Sequence, residues 1–96
     1  MNPADKPSAD PQVVLREDFA DWAVLFHPLT GEAVGVSPVG VTIWKLLAQR
    51  GQRTLAEVAA EVQAQCEDAP PTVLADTLAF VEDLQRRLFV KDEGLP

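Results

Sequence analysis

The chain has 96 residues and a formal net charge of −7, with 8 Lys and Arg residues against 15 Asp and Glu residues. Its length and its hydrophobic fraction of 47% indicate one small globular domain. The absence of a long apolar run, of a signal-peptide pattern and of a second cysteine predicts a protein of the reducing cytoplasm, with no disulfide and no membrane partner.

The N-terminal residues 1–12 contain three prolines and show no apolar periodicity. This composition predicts a disordered arm. We therefore expect the folded domain to span residues 13–90, followed by a short tail at 91–96.

Three short β-strands are predicted at the start of this domain, over residues 13–16, 22–27 and 32–36. The first contains two Val and one Leu, the second contains Trp, Val, Leu and Phe, and the third contains two Val. Between the second and third strands, residues 28–31 read Pro-Leu-Thr-Gly, a sequence typical of a tight turn. The last two strands should therefore form an antiparallel hairpin.

Three helices are predicted after the hairpin. Ser37 before Pro38 marks the start of the first helix, and Thr54 with Glu57 forms a capping box at the start of the second. The third helix is predicted from leucines and valines at helical spacing: Leu74, Leu78, Val81, Leu84 and Leu88. The predicted fold is α+β and resembles a winged helix-turn-helix, with three short antiparallel strands preceding three helices.

The sequence contains few of the residues that catalysis or metal binding requires. His27 is the single histidine and has no His or Cys neighbour in the sequence. We interpret it as a strand-end residue that hydrogen-bonds the following turn. The sequence therefore predicts a protein that is not an enzyme and has neither cofactor nor metal.

The distribution of charge argues against nucleic-acid binding. Residues 54–96 contain nine acidic and three basic residues, although a DNA-reading helix would have to lie there. The basic residues Lys45, Arg50 and Arg53 cluster near the first helix and its exit. They are candidates for docking an acidic partner protein, although a basic cluster of this size is usually only a solvated face.

The third predicted strand is an edge strand without a proline or lysine to block it, so its backbone could bind an incoming peptide strand. On this interpretation a proline at Val34 would remove an edge donor. On the third helix, Phe80 either completes the core or helps to line a groove beside this edge. The candidate peptide-binding residues are Glu32, Ala33, Val34, Gly35 and Val36 on the strand, and Val73, Thr77, Phe80 and Leu84 on the helix.

Four segments of the sequence resemble the PqqD family, also called RiPP recognition elements, over about residues 13–90. They are the hairpin at 22–32, the Ile43-Trp44 pair in its helix, Arg53-Thr54 before the capping box, and the helix at 78–84. The resemblance implies a non-catalytic chaperone that binds the leader of a ribosomally made precursor peptide by strand addition. It also implies a partner enzyme that modifies the peptide, often a radical S-adenosylmethionine enzyme. The alternatives are a winged-helix transcription regulator and a self-associating adaptor.

Overall fold

The computed structural model describes residues 2–17, 22–49, 53–65 and 71–92. It confirms the α+β fold, with three antiparallel strands preceding three helices, and it contains two further short strands. In chain order the elements are β1 (Pro7–Ala9), β2 (Val14–Arg16), β3 (Ala23–Phe26), β4 (Ala33–Val36), α1 (Pro38–Ala48), α2 (Leu55–Gln65), α3 (Val73–Arg86) and β5 (Val90–Asp92).

The predicted hairpin is present, and a bulge sets its register. In the three-stranded sheet β3 is central, with β2 on one side and β4 on the other, both antiparallel to it. At the turn the N–H of Gly31 donates to the carbonyl of His27 at 2.8 Å, and the N–H of His27 donates to the carbonyl of Glu32 at 2.9 Å. Gly31 has a φ of 76°, which glycine adopts without strain. Gly31 and Glu32 thus lie opposite His27 as a G1 bulge.

The N-terminal segment differs from the disordered arm predicted for residues 1–12. Pro7–Ala9 forms β1 and pairs with β5, whose last two residues lie beyond the predicted domain boundary at 90. Further upstream, the carbonyls of Asp5 and Pro3 accept hydrogen bonds from the N–H groups of Leu55 and Ala56, each at 3.0 Å. These N–H groups lie in the first turn of α2, where no intrahelical acceptor exists. The partners are remote in sequence, so local composition could not reveal this order.

The helices begin where the capping residues predict. The Ser37 hydroxyl accepts from the N–H of Gly40 at 3.2 Å, and Thr54 and Glu57 exchange bonds at 3.0 and 3.1 Å as a capping box. Helix α2 packs against α1 and α3, α1 also packs against β4, and together they bury a single apolar cluster. Its members are Leu25, Val36, Ile43, Trp44, Leu46, Leu47, Leu55, Val58, Ala59, Val62, Val73, Val81, Leu84, Phe89 and Val90.

Candidate functional site

The outer edge of β4 is unpaired within the described part of the chain, because β4 pairs with β3 alone. In an antiparallel ladder, alternate residues of a strand direct both backbone groups towards the same neighbour. The Glu32 carbonyl points to β3, since it accepts from His27. By alternation Val34 and Val36 also point to β3, and the N–H and carbonyl groups of Ala33 and Gly35 point to the open edge.

This register corrects the role expected for Val34. Its N–H points towards β3, so a proline at this position would break the hairpin ladder and would not remove an edge donor. The donors available to an incoming strand are those of Ala33 and Gly35. The sequence could not distinguish the two sets of residues, because the register depends on the bulge at the turn.

The two sides of the sheet differ in their surroundings. Leu25 and Val34 are register partners on the side that faces the helices, where Leu25 is fully buried and Val34 packs partly buried against the core. Phe26 and its partner Ala33 lie on the opposite, outer side, where Phe26 is 38% exposed. A strand added to β4 would therefore alternate its side chains between the helix side and the outer side.

Helix α3 approaches β4 at both ends of the strand. Near the end of β4, Gly40 of α1 lies close to both Val36 and Phe80. A Cβ added to Gly40 would collide with Cγ1 of Val36 and would lie 3.3 Å from Cζ of Phe80. Near its beginning, the guanidinium of Arg87 contacts the carboxylate of Glu32 at 2.6 Å. From Phe80 to Arg87 the chain advances about 10 Å, and from Glu32 to Val36 it advances about 13 Å. Because Phe80 lies near the end of β4 and Arg87 near its beginning, the C-terminal half of α3 runs beside β4 in the opposite direction.

Three charged residues form a network at the beginning of β4. Arg87 donates through Nε to Asp83 at 2.9 Å and through Nη1 to Glu32 at 2.6 Å. The hydrogen bond that Arg87 donates to Asp83, together with the negative charges of Asp83 and Glu32, raises the pKa of Arg87 above its ordinary value. The network ties the last turn of α3 to the beginning of the strand, and two carboxylates neutralise the charge of Arg87.

The four groove candidates on α3 have different surroundings. Val73, Thr77 and Leu84 are at most 4% exposed and belong to the packed interior. The Thr77 hydroxyl donates to the carbonyl of Val73 at 2.7 Å, so its polar group is satisfied within the helix. Phe80 is partly buried against the core and is the candidate with surface left for a ligand. A peptide could reach the other three only by displacing core contacts.

The proposed basic docking cluster is not a set of free cations. Lys45 forms an exposed ion pair with Glu17 at 3.1 Å, and Arg53 donates to the carbonyl of Leu46 at 3.4 Å. Arg53 thereby helps to satisfy the C-terminal end of α1. Arg50 lies outside the described residues. The docking role of this cluster stays a prediction.

The structure confirms the interpretation of His27 as a residue that hydrogen-bonds its turn. Its Nδ1 accepts from the N–H of Leu29 at 3.3 Å, while its Nε2 lies 3.5 Å from Asp10 and its ring packs against Phe89. The side chain is 3% exposed and joins three segments of the chain.

Among the described residues, no group of three or more His, Cys, Asp and Glu side chains could hold a metal ion. The helices in that part of the chain are also too short or too polar to span a membrane.

Sequence reasoning missed three residues beside β4. Asp83 and Arg87 have the spacing of an ordinary surface ion pair, and nothing local links Arg87 to Glu32, which is 55 residues away. Trp22 is the first residue of the second predicted strand, and the sequence does not indicate that it belongs to the site. In the structure its ring lies over Gly35, on the outer side of the sheet. The sequence feature that could have indicated this contact is Gly35, because a glycine inside a strand often marks a close approach of another group.

Comparison with known proteins identifies relatives at two levels. The family model for coenzyme PQQ synthesis protein D (PqqD) matches residues 23–90. Among solved structures, the chain is similar to TbiB1 in complex with the TbiA(beta) leader peptide. The sequence identity is 30% and the TM-score is 0.68, over 93% of this chain and 98% of that one. A search of curated proteins finds no match.

Proposed function

The chain belongs to the PqqD family, and on this basis we propose that it is a non-catalytic chaperone for the leader of a ribosomally synthesised precursor peptide. Support comes from its similarity to TbiB1 along nearly the whole of both chains, since TbiB1 was solved with a leader peptide bound. The observation that carries the proposal in this chain is the open edge of β4, with two residues whose backbone groups point outward.

The leader would bind as a fourth strand of the sheet, next to β4. Backbone bonds to Ala33 and Gly35 would supply an affinity that depends little on sequence, and side chains on the helix side would supply selectivity. Those side chains would meet α3 between Phe80 and Arg87. Because Arg87 is paired with Asp83 and Glu32 on the chain itself, an acidic leader residue would have to compete with existing partners.

Hydrogen exchange of individual amides tests this binding mode. The probe is a dodecapeptide enriched from a random display library by panning against this protein. On binding, the amides of Ala33 and Gly35 should become slow to exchange, whereas those of Val34 and Val36 are already protected by β3. If panning enriches no peptide, or if the bound peptide leaves both edge amides unprotected, the proposal is wrong.

The chemistry on the peptide would belong to a separate modifying enzyme, with a radical S-adenosylmethionine enzyme as the candidate class. In that arrangement the small domain raises the local concentration of the precursor at the enzyme. Turnover of the complete precursor by the enzyme should fall when this protein is omitted. Turnover of a precursor without its leader should not respond to the omission.

A further inference from the structure

The outer side of the sheet has a feature beside the open edge that strand addition alone does not require. Gly35 is exposed and has no side chain, and the ring of Trp22 on the neighbouring segment lies beside the place that a Cβ would take. A Cβ built on Gly35 would lie 3.6 Å from Cε3 and 3.7 Å from Cζ3 of that ring. Trp22 nevertheless remains 48% exposed. Its ring thus reaches across the sheet from the side of β3 to the edge strand.

A strand that adds to β4 must bring a side chain to this place. The backbone groups of Gly35 point to the open edge, and its missing side chain would lie on the outer side with Val24, its register partner. The peptide residue opposite Gly35 shares that side, because directly opposed residues project to the same face. Its side chain would therefore stand beside the ring of Trp22, while the two flanking peptide residues point towards α3.

Resting on the proposed function, we propose that Trp22 is a specificity-determining residue, which selects an apolar or aromatic leader side chain opposite Gly35. Glycine at 35 is what makes the contact available, because a larger residue there would separate the ring from the edge. The surroundings match this class of ligand, since Phe26 on the same outer side is 38% exposed. The leader would thus be recognised on both sides of its strand.

The emission of Trp22 provides a direct readout. The chain has two tryptophans, and Trp44 is only 4% exposed in the core. In Trp44→Phe the emission reports on Trp22 alone, and the library-derived dodecapeptide should shift it to the blue as the ring is covered. The exchange of the Ala33 and Gly35 amides is recorded on the same sample. Protected amides without an emission shift would overturn this inference and leave the proposed function standing. Unprotected amides would overturn both.

A double-mutant cycle measures the contact itself. Each residue of the dodecapeptide is replaced by alanine and titrated against the wild type and Trp22→Ala, with a thermal melt to verify folding. Trp22→Ala should weaken binding by about three- to tenfold, the range expected for one aromatic contact. The loss should be coupled to one apolar peptide position and to no neighbour of it. Additive losses at every position would refute the assignment.

Val14→Ala is the matched control for Trp22→Ala. Val14 is an apolar, half-exposed residue on the same outer side, but it lies on β2, two strands and about 10 Å from β4. Its replacement should leave the affinity for the dodecapeptide unchanged within twofold. An equal loss in both variants would mean that a general apolar surface, and not the contact at Gly35, determines binding.

Discussion

A proline scan along β4 separates edge residues from ladder residues and is the sharpest test of the site. Ala33→Pro and Gly35→Pro each remove an N–H that points to the open edge, while Val34→Pro removes one that points to β3. Proline is tolerated at edge positions whose N–H faces solvent. The two edge variants should therefore fold, and Val34→Pro should lose stability.

The expected losses of affinity follow from the backbone bonds removed. One intramolecular hydrogen bond contributes about 0.5–1.5 kcal/mol net, and the unpaired peptide carbonyl adds to the loss when it is shielded from water. Each edge proline should thus cost about 1–2 kcal/mol of binding free energy, which is about five- to thirtyfold in Kd. The double variant Ala33→Pro/Gly35→Pro should lose at least about thirtyfold, since two outward donors are missing.

Isothermal titration with the library-derived dodecapeptide measures these losses, and thermal unfolding reports on the fold. Ala33→Thr is the control, because it keeps the edge N–H and changes only the side chain. The reasoning is refuted if both edge prolines bind like the wild type. A folded Val34→Pro that fails to bind, with normal binding by Ala33→Pro, would show that the register of β4 is shifted by one residue.

Three further predictions concern stability, each measured by chemical denaturation. Gly40→Ala should lose about 1–3 kcal/mol, because the new Cβ collides with Val36, whereas Gly35→Ala gains only an ordinary contact with Trp22 and should be nearly neutral. Hydrogen bonds from Thr54 lower the pKa of Glu57 below 4.5. The wild type should therefore be more stable than Glu57→Ala by a constant amount above that pH, and the difference should shrink as the pH falls further. Deletion of residues 2–9 removes two acceptors of α2 N–H groups and the pairing of β1 with β5, and it should cost about 2 kcal/mol or more; an unchanged midpoint would show that this segment contributes nothing.

Local patterns in the sequence were sufficient for most of the fold. The turn at 28–31, the cap at Ser37 and the capping box at Thr54 depend on residues no more than four positions apart, so each could be predicted without knowledge of the tertiary structure. The periodicity of α3 likewise predicted the helix, but only Val81 and Leu84 of its predicted apolar stripe are buried. Leu74 is 38% exposed, and Leu88 lies beyond the end of the helix and is 62% exposed. The strand that forms the candidate edge was also predicted from a local pattern.

Long-range pairing could be decided only by the tertiary structure. The bulge register determines that Ala33 and Gly35, and not Val34, point to the open edge, because a shift of one residue reverses every backbone group. The N-terminal segment is ordered because β5 and α2 supply partners that its own composition lacks. Packing also removed Val73, Thr77 and Leu84 from the accessible groove and brought Trp22 over Gly35. The sequence by itself determined the hairpin, the three helices and the acidic charge of the chain, since these depend on local propensity and composition. The pairing of β1 with β5 and the site depend on contacts between distant residues, which only the folded chain defines.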